Sequence, residues 1–252
     1  MINRNTLVQM LEQELGVSKI RDYCPNGLQV EGKAEIKKIV TGVTASLALI
    51  ERAIAVNADA ILVHHGYFWK GEAAEVVGMK KQRLQRLLQH DINLLAYHLP
   101  LDVHPKLGNN AQLAQLFGVD HVRSISAVEP VGVVQTGEYA HHKSLAEVAS
   151  HLEQMLGRAP LVHDAGIGAV RSVAWCSGGG QGYIEAAAAA GVDLFISGEV
   201  SEQTIHCANE LGIHFIAAGH HATERYGIKA LGEWLSQLVD VEVEFIDIYN
   251  PA

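Results

Sequence analysis

KIVTGVTASLALIERAIAVNADAILVHHG, residues 38–66, runs from an apolar strand through a Gly/Thr/Ser turn into an Ala-rich amphipathic stretch. It then passes an acidic turn into a second apolar strand that ends in paired histidines. Residues 172–200, SVAWCSGGGQGYIEAAAAAGVDLFISGEV, follow the same grammar 172 − 38 = 134 positions later. Ile50 and Glu51 answer Ile184 and Glu185, Ala53 answers Ala187, and Asp59 answers Asp193. Strand–helix–strand units of this length read as βαβ crossovers, whose strands pair in parallel. Two of them predict an α/β protein with mainly parallel sheets, built as two similar halves by internal duplication. The halves are expected at 1–125 and 126–252.

Further likenesses flank this pair. LEQELG at 11–16 answers LEQMLG at 152–157. INLLAYHLPLD at 92–102 answers HFIAAGHHATE at 214–224 with a shift in register, which sets His98-x-x-x-Asp102 against His220-x-x-x-Glu224. Strands are expected at 39–43, 60–64, 93–97, 172–176, 193–197 and 213–217, with a last one in the alternating VEVEFIDI. Helical patterns fall at 45–57, 79–90, 110–117, 144–156, 181–190, 201–211 and 225–238, with Asn110 expected as an N-cap and Gly118 as a C-terminal stop. The segment 119–143 lacks helical period and carries Pro and Gly, so it reads as the connection between the halves.

Composition narrows the function class. A net charge of −9 argues against a protein that wraps nucleic acid on an extended basic face. Cys24, Cys176 and Cys207 are odd in number and form no C-x-x-C pair, which points to a reducing cytoplasm rather than a disulfide scaffold. The first residues read as an amphipathic helix rather than a signal peptide, and no apolar run approaches the ~20 residues of a membrane span. Fourteen histidines in 252 residues are the outlier. Histidine is the commonest metal ligand and a frequent proton carrier.

Ligands gather at the carboxyl ends of strands in α/β sheets. Three such ends carry His64 and His65, His98 with Asp102, and His220 and His221 with Glu224. Each is ordinary alone: adjacent histidines on a strand face opposite ways, and a carboxylate near a helix start is often helix-terminus chemistry. Together they offer the imidazoles and bridging carboxylates that two close cations require. Trp69 and Lys70 follow the histidine pair as candidates to stack on a base and meet a phosphate, against a core Trp and a solvated Lys. SGGGQG at 177–182 is a weak phosphate-cradle candidate, Glu199 is a candidate to face the centre, and Cys176 reads as buried and inert.

ILVHHGYFWKG at 61–71, HLPLD at 98–102, LGNNAQLAQLFG at 107–118 and GHHATER at 219–225, in that order, resemble the Nif-three-like proteins, also called the GTP cyclohydrolase type-two family. The resemblance implies a duplicated α/β subunit, a ring-shaped homohexamer and a dinuclear metal centre between the halves. It places the metal ligands at His64, His65, Asp102, His220 and Glu224, with Glu224 as the bridge and His98 as a neighbour. Many relatives read His-Thr-Asn-x-Asp where this chain has His98-Leu99-Pro100-Leu101-Asp102, and Gly-His-Tyr where it has Gly219-His220-His221. The expected function is that of a metal-dependent hydrolase, cyclohydrolase or phosphoesterase, acting on a nucleotide or similar phosphorylated heterocycle. His98 and His221 would carry the proton, and Trp69 and Lys70 would bind substrate. Two divalent ions (Zn, Mn, Fe, Co or Ni) suit the N/O ligand set. The alternative is a non-catalytic metal-binding scaffold or regulatory interaction protein.

Overall fold

The computed structural model describes residues 1–252 and divides into two compact units. The first comprises Met1–Leu101 and Ile228–Tyr249, the second Asp102–Gly227 and Asn250–Ala252. These units are drawn by contact, whereas the halves 1–125 and 126–252 are drawn by likeness of sequence. The fold is mixed α/β, and no helix is long and apolar enough to cross a membrane.

In the first unit a five-stranded sheet runs in the order Glu242–Phe245, Lys38–Thr44, Ala60–His65, Asn93–Ala96, Gly27–Val30. The first four strands are parallel, and Gly27–Val30 closes the edge antiparallel. The central strands are buried at nearly every residue, as a parallel sheet covered on both faces demands. One face packs Val40, Ile61, Val63 and Leu94 against Leu49, Ile50, Ala53 and Leu87 of the helices Leu47–Ala55 and Gly78–Gln89. On the other face the helix His220–Leu238 approaches so closely at Gly232 that a Cβ there would sit 3.0 Å from the Thr41 methyl.

The second unit holds a six-stranded sheet ordered Asp120–Ser124, Gln135–Lys143, Val170–Cys176, Leu194–Ser197, His214–Ala217, Leu161–His163. The Val170–Cys176, Leu194–Ser197 and His214–Ala217 strands are parallel, and an antiparallel strand again lies beside the last of them. Its two faces form separate cores. Val173, Trp175, Leu194 and Ile196 meet Phe117, Leu152 and Leu156 on one side, while Ala174, Phe195 and Phe215 meet Ile184, Ala187 and Ala208 on the other.

The two acidic turns do the same work in each unit. Asp59 Oδ2 accepts the N–H groups of Lys37 and Lys38 at 2.8 and 3.1 Å, and Asp193 Oδ2 accepts those of Arg171 and Ser172 at 2.9 and 2.8 Å. Asp59 O and Asp193 O receive the N–H of Asn93 and of His214, each at 3.0 Å. This register corrects one sequence alignment: Asn93 answers His214 and Tyr97 answers Ala218, so His98 answers Gly219 rather than His220. The segment 119–143 also differs from a plain connection. It forms the antiparallel strands Asp120–Ser124 and Gln135–Lys143, whose polar outward residues concealed the alternation of buried Gln135, Gly137 and Tyr139. Asn110 lies inside the helix Asn109–Phe117 instead of capping it, because its amide is used elsewhere. Nδ2 donates to Gly132 O and Val133 O, and Oδ1 accepts the Ser177 N–H.

The helix Leu145–Leu156 carries a capping box between Ser144 and Glu147. Ser144→Ala is expected to cost about 1 kcal/mol by loss of that cap. Trp175→Ala removes a fully buried ring whose Nε1–H donates to Asn110 O at 3.0 Å, and roughly 3–5 kcal/mol is expected. Urea unfolding of the two variants checks both the order and the gap.

Candidate metal centre

The first unit gathers imidazoles. His64 and His65 end the Ala60–His65 strand, and His98 follows the neighbouring Asn93–Ala96 strand by two residues. Their ring centroids lie 4.5 to 5.7 Å apart, and donor atoms of all three fall within 4.8 Å of one another. The Nδ1 atoms are held from behind: His64 Nδ1 is 3.0 Å from Tyr97 O, His98 Nδ1 is 3.0 Å from Asp22 Oδ1, and His65 Nδ1 is 3.2 Å from Thr44 Oγ1. A carbonyl and a carboxylate only accept, so His64 and His98 carry a proton on Nδ1, which leaves Nε2 of each turned toward the cluster. This is the arrangement in which metal-binding histidines are found, with one nitrogen oriented by a partner and the other turned to the ion.

Asp22 was not singled out from sequence, yet it organises this cluster. Its carboxylate accepts from Tyr23 N at 2.7 Å, Asn26 Nδ2 at 2.9 Å, Leu99 N at 2.9 Å and His98 Nδ1 at 3.0 Å. Burial works against the ionised form. The hydrogen bonds from His98 and Asn26, the His98 charge and the Leu99 N–H outweigh it and hold the group down at about 2. The Cys24 thiol also comes within 4.8 Å of Asp22 and His98 donors. With four hydrogen bonds on its two oxygens, Asp22 serves as a support for His98 rather than as a ligand. Trp69 stands beside the cluster, its centroid 5.0 Å from His98 and 5.9 Å from His65, while the Lys70 side chain is exposed.

The second unit gathers carboxylates. His220 opens the helix His220–Leu238, and Glu224 follows one turn later, so Nε2 and Oε2 are 3.1 Å apart. His220 Nδ1 meets Glu199 Oε1 at 2.7 Å. Glu199 thus orients His220. Burial alone would lower the His220 pKa, but the hydrogen bonds and charges of Glu224 and Glu199 raise it to about 9. Asp102 is buried and accepts on Oδ1 from Asn109 Nδ2 at 2.8 Å and Ser177 Oγ at 3.0 Å. Carboxylate oxygens of Asp102 and Glu224 lie within 4.8 Å of each other although both residues are 5% exposed or less. Carboxylates at that spacing are among the groups that could hold a metal ion.

SGGGQG proves to be shaped for those carboxylates rather than for phosphate. Gly178 has φ +58°, and a Cβ there would collide with Glu224 Oε1 and come within 3.0 Å of His220 Nε2. Its N–H donates to Thr223 Oγ1 at 3.0 Å, and a Cβ on Gly179 would face Glu199 Oε2 at 3.7 Å. An anion in that loop would meet acidic groups. Cys176 is buried, and desolvation followed by the charges of Asp102 and Glu224 pushes its thiol well up, as an inert cysteine requires. His221 is buried too, and its backbone N–H donates to Ala252 O at 3.2 Å. The donor types of each unit, imidazole and carboxylate with oriented lone pairs, fit a divalent transition metal.

Residues 2–251 match the family model described as Duf34/NIF3 (NGG1p interacting factor 3). The chain belongs to the Duf34/NIF3 family. Among relatives of this Duf34/NIF3 protein, one from Escherichia coli K12 is 57% identical over 251 residues, spanning 99% of this chain and 100% of its own. Another, from Pseudomonas aeruginosa, is 54% identical over 248 residues and 98% of each chain. Both are named GTP cyclohydrolase 1 type 2 homolog. The solved structure of a protein named ybgI, described as of unknown function, superposes with a TM-score of 0.96 at 55% identity over the whole of both chains. A crystal structure from Thermus thermophilus gives 0.90 at 36% identity, again over both whole chains.

With a folded value of about 9 against 6.5 for the free side chain, His220 stabilises the metal-depleted protein fully below 6.5. That contribution is lost as the pH rises through 9. Urea unfolding of chelator-treated Duf34/NIF3 protein at about pH 6 and about pH 10 is therefore expected to show a drop in stability that shrinks in Glu224→Gln. Equal drops in both proteins would contradict the His220–Glu224 pairing.

Proposed function

We propose that this protein binds two divalent transition-metal ions through His64, His65, Asp102, His220 and Glu224. On this reading it is a metal-dependent hydrolase acting on a nucleotide or similar phosphorylated heterocycle. The single observation that carries the metal reading is the anchoring of Nδ1 in each candidate histidine ligand: Tyr97 O behind His64, Thr44 Oγ1 behind His65, and Glu199 behind His220. The nucleotide class is suggested by the relatives' name, GTP cyclohydrolase 1 type 2 homolog. Bound ions of this kind polarise an electrophilic carbon or phosphorus and lower the pKa of water toward neutrality.

The chain's own residues have distinct parts in this scheme. Asn109 and Ser177 fix the Asp102 carboxylate through Oδ1. Asp22 holds His98 with its Nε2 presented, so that His98 can take or return a proton; His221 is the second proton carrier. Trp69 offers an aromatic face and Lys70 an exposed ammonium for a ring and a phosphate. The ring-shaped homohexamer implied by the family resemblance belongs to the same proposal, and native mass spectrometry tests it.

Elemental analysis of gently purified protein is expected to give about two transition-metal equivalents per chain, falling sharply in Glu224→Gln. Because ligation needs neutral imidazole, metal is expected to leave as the pH falls toward about 5. A screen of nucleotides and phosphate esters should then yield metal-dependent product that disappears in Glu224→Gln. Metal at full occupancy with no turnover across the screen would replace the hydrolase by a metal-binding scaffold. No metal after reconstitution would remove both.

A further inference from the structure

Tyr23 lies in the RDYCPNG stretch that carries Asp22, and its side chain is 53% exposed. Its backbone is tied on both sides. The preceding carboxylate of Asp22 accepts the Tyr23 N–H at 2.7 Å, and Tyr23 O accepts the Lys70 N–H at 2.8 Å. The Tyr23 ring stands 5.7 Å from that of Trp69, inclined at 38°, and both rings meet His98 nearly edge-on with centroids 5.0 Å away. Trp69 is fixed in turn by its Nε1–H, which donates to Gly66 O at 3.2 Å, so its face rather than its polar edge is what remains for a ligand.

We infer that Tyr23 and Trp69 form a stacking ledge for the planar heteroaromatic ring of the substrate, a purine-type base, and that Tyr23 is a determinant of ring binding. Rings already packed against one another and against His98 lose little entropy when a base lies on them, and base stacking on aromatic side chains tolerates many bases because each has a π-face. The ledge borders His98 and, through Trp69 at 5.9 Å, His65. A ring stacked there lies next to imidazoles that the proposed function assigns to metal and proton handling, so the inference names the ring-binding part of that same reading.

The test separates the two. Intrinsic fluorescence of the full-length protein is titrated with guanosine, which has the ring but no phosphate, and with ribose 5-phosphate, which has the phosphate but no ring; metal content is measured in parallel. Saturable guanosine binding is expected, with no matching response to ribose 5-phosphate. Tyr23→Ala is expected to weaken it roughly tenfold or more, Tyr23→Phe to retain it, and metal content to stay level in both. Ring binding in protein that takes up no metal even after reconstitution would uphold the ledge while removing the hydrolase reading. Guanosine binding that is absent in the wild type, or undiminished in Tyr23→Ala with circular dichroism unchanged, would overturn it.

Discussion

Parallel strands end at one edge of their sheet, and in this protein a pair of acidic turns fixes where that edge lies. Asp59 and Asp193 each bind the two N–H groups that start the adjacent strand and receive the first N–H of the next strand on their own carbonyl. Desolvation opposes their charge, yet the hydrogen bonds keep both carboxyls below the ordinary range. With the strand starts levelled in this way, the strand ends deliver His64 and His65 beside His98 in one unit, and Ser177 beneath the carboxylates in the other. A slip of one residue would turn every one of these side chains to the opposite face.

The two donor clusters differ in the electrostatic problem each must solve. The imidazoles of the first unit need orientation, and fixed acceptors supply it: a backbone carbonyl behind His64 and the Asp22 carboxylate behind His98. Buried carboxylates in the second unit repel, and neutral donors do not remove that repulsion. The imidazole of His220 relieves part of it by holding a proton between Glu224 and Glu199, which is why its pKa rises. On the proposed metal reading a divalent ion would supply more charge at the same place, and proton and metal would compete for His220.

Several features were legible because they rest on local rules. Strict apolar runs bounded by turns gave the parallel strands, and the VEVEFIDI alternation gave the Glu242–Phe245 strand. Other features escaped because their reason lies far along the chain. Asp22 looks like an ordinary turn residue until the His98 ring arrives from 76 positions away. Asn110 reads as a cap until Ser177 claims its side chain. The glycines of SGGGQG look like a phosphate loop when only their flexibility is considered, and Glu224 and Glu199 give them a different purpose.

The sequence by itself determined the α/β class, the central parallel strands and most of the helices, and the residue types that converge on strand ends, because periodicity and turn chemistry act over a few residues. It also carried the family likeness, since an ordered set of motifs needs no coordinates. Tertiary structure alone decided the register that sets His98 against Gly219, the support of His98 by Asp22 and the packing of exposed Tyr23 against half-buried Trp69. These depend on which distant backbone groups meet, a matter of packing and hydrogen-bond geometry that no local pattern encodes.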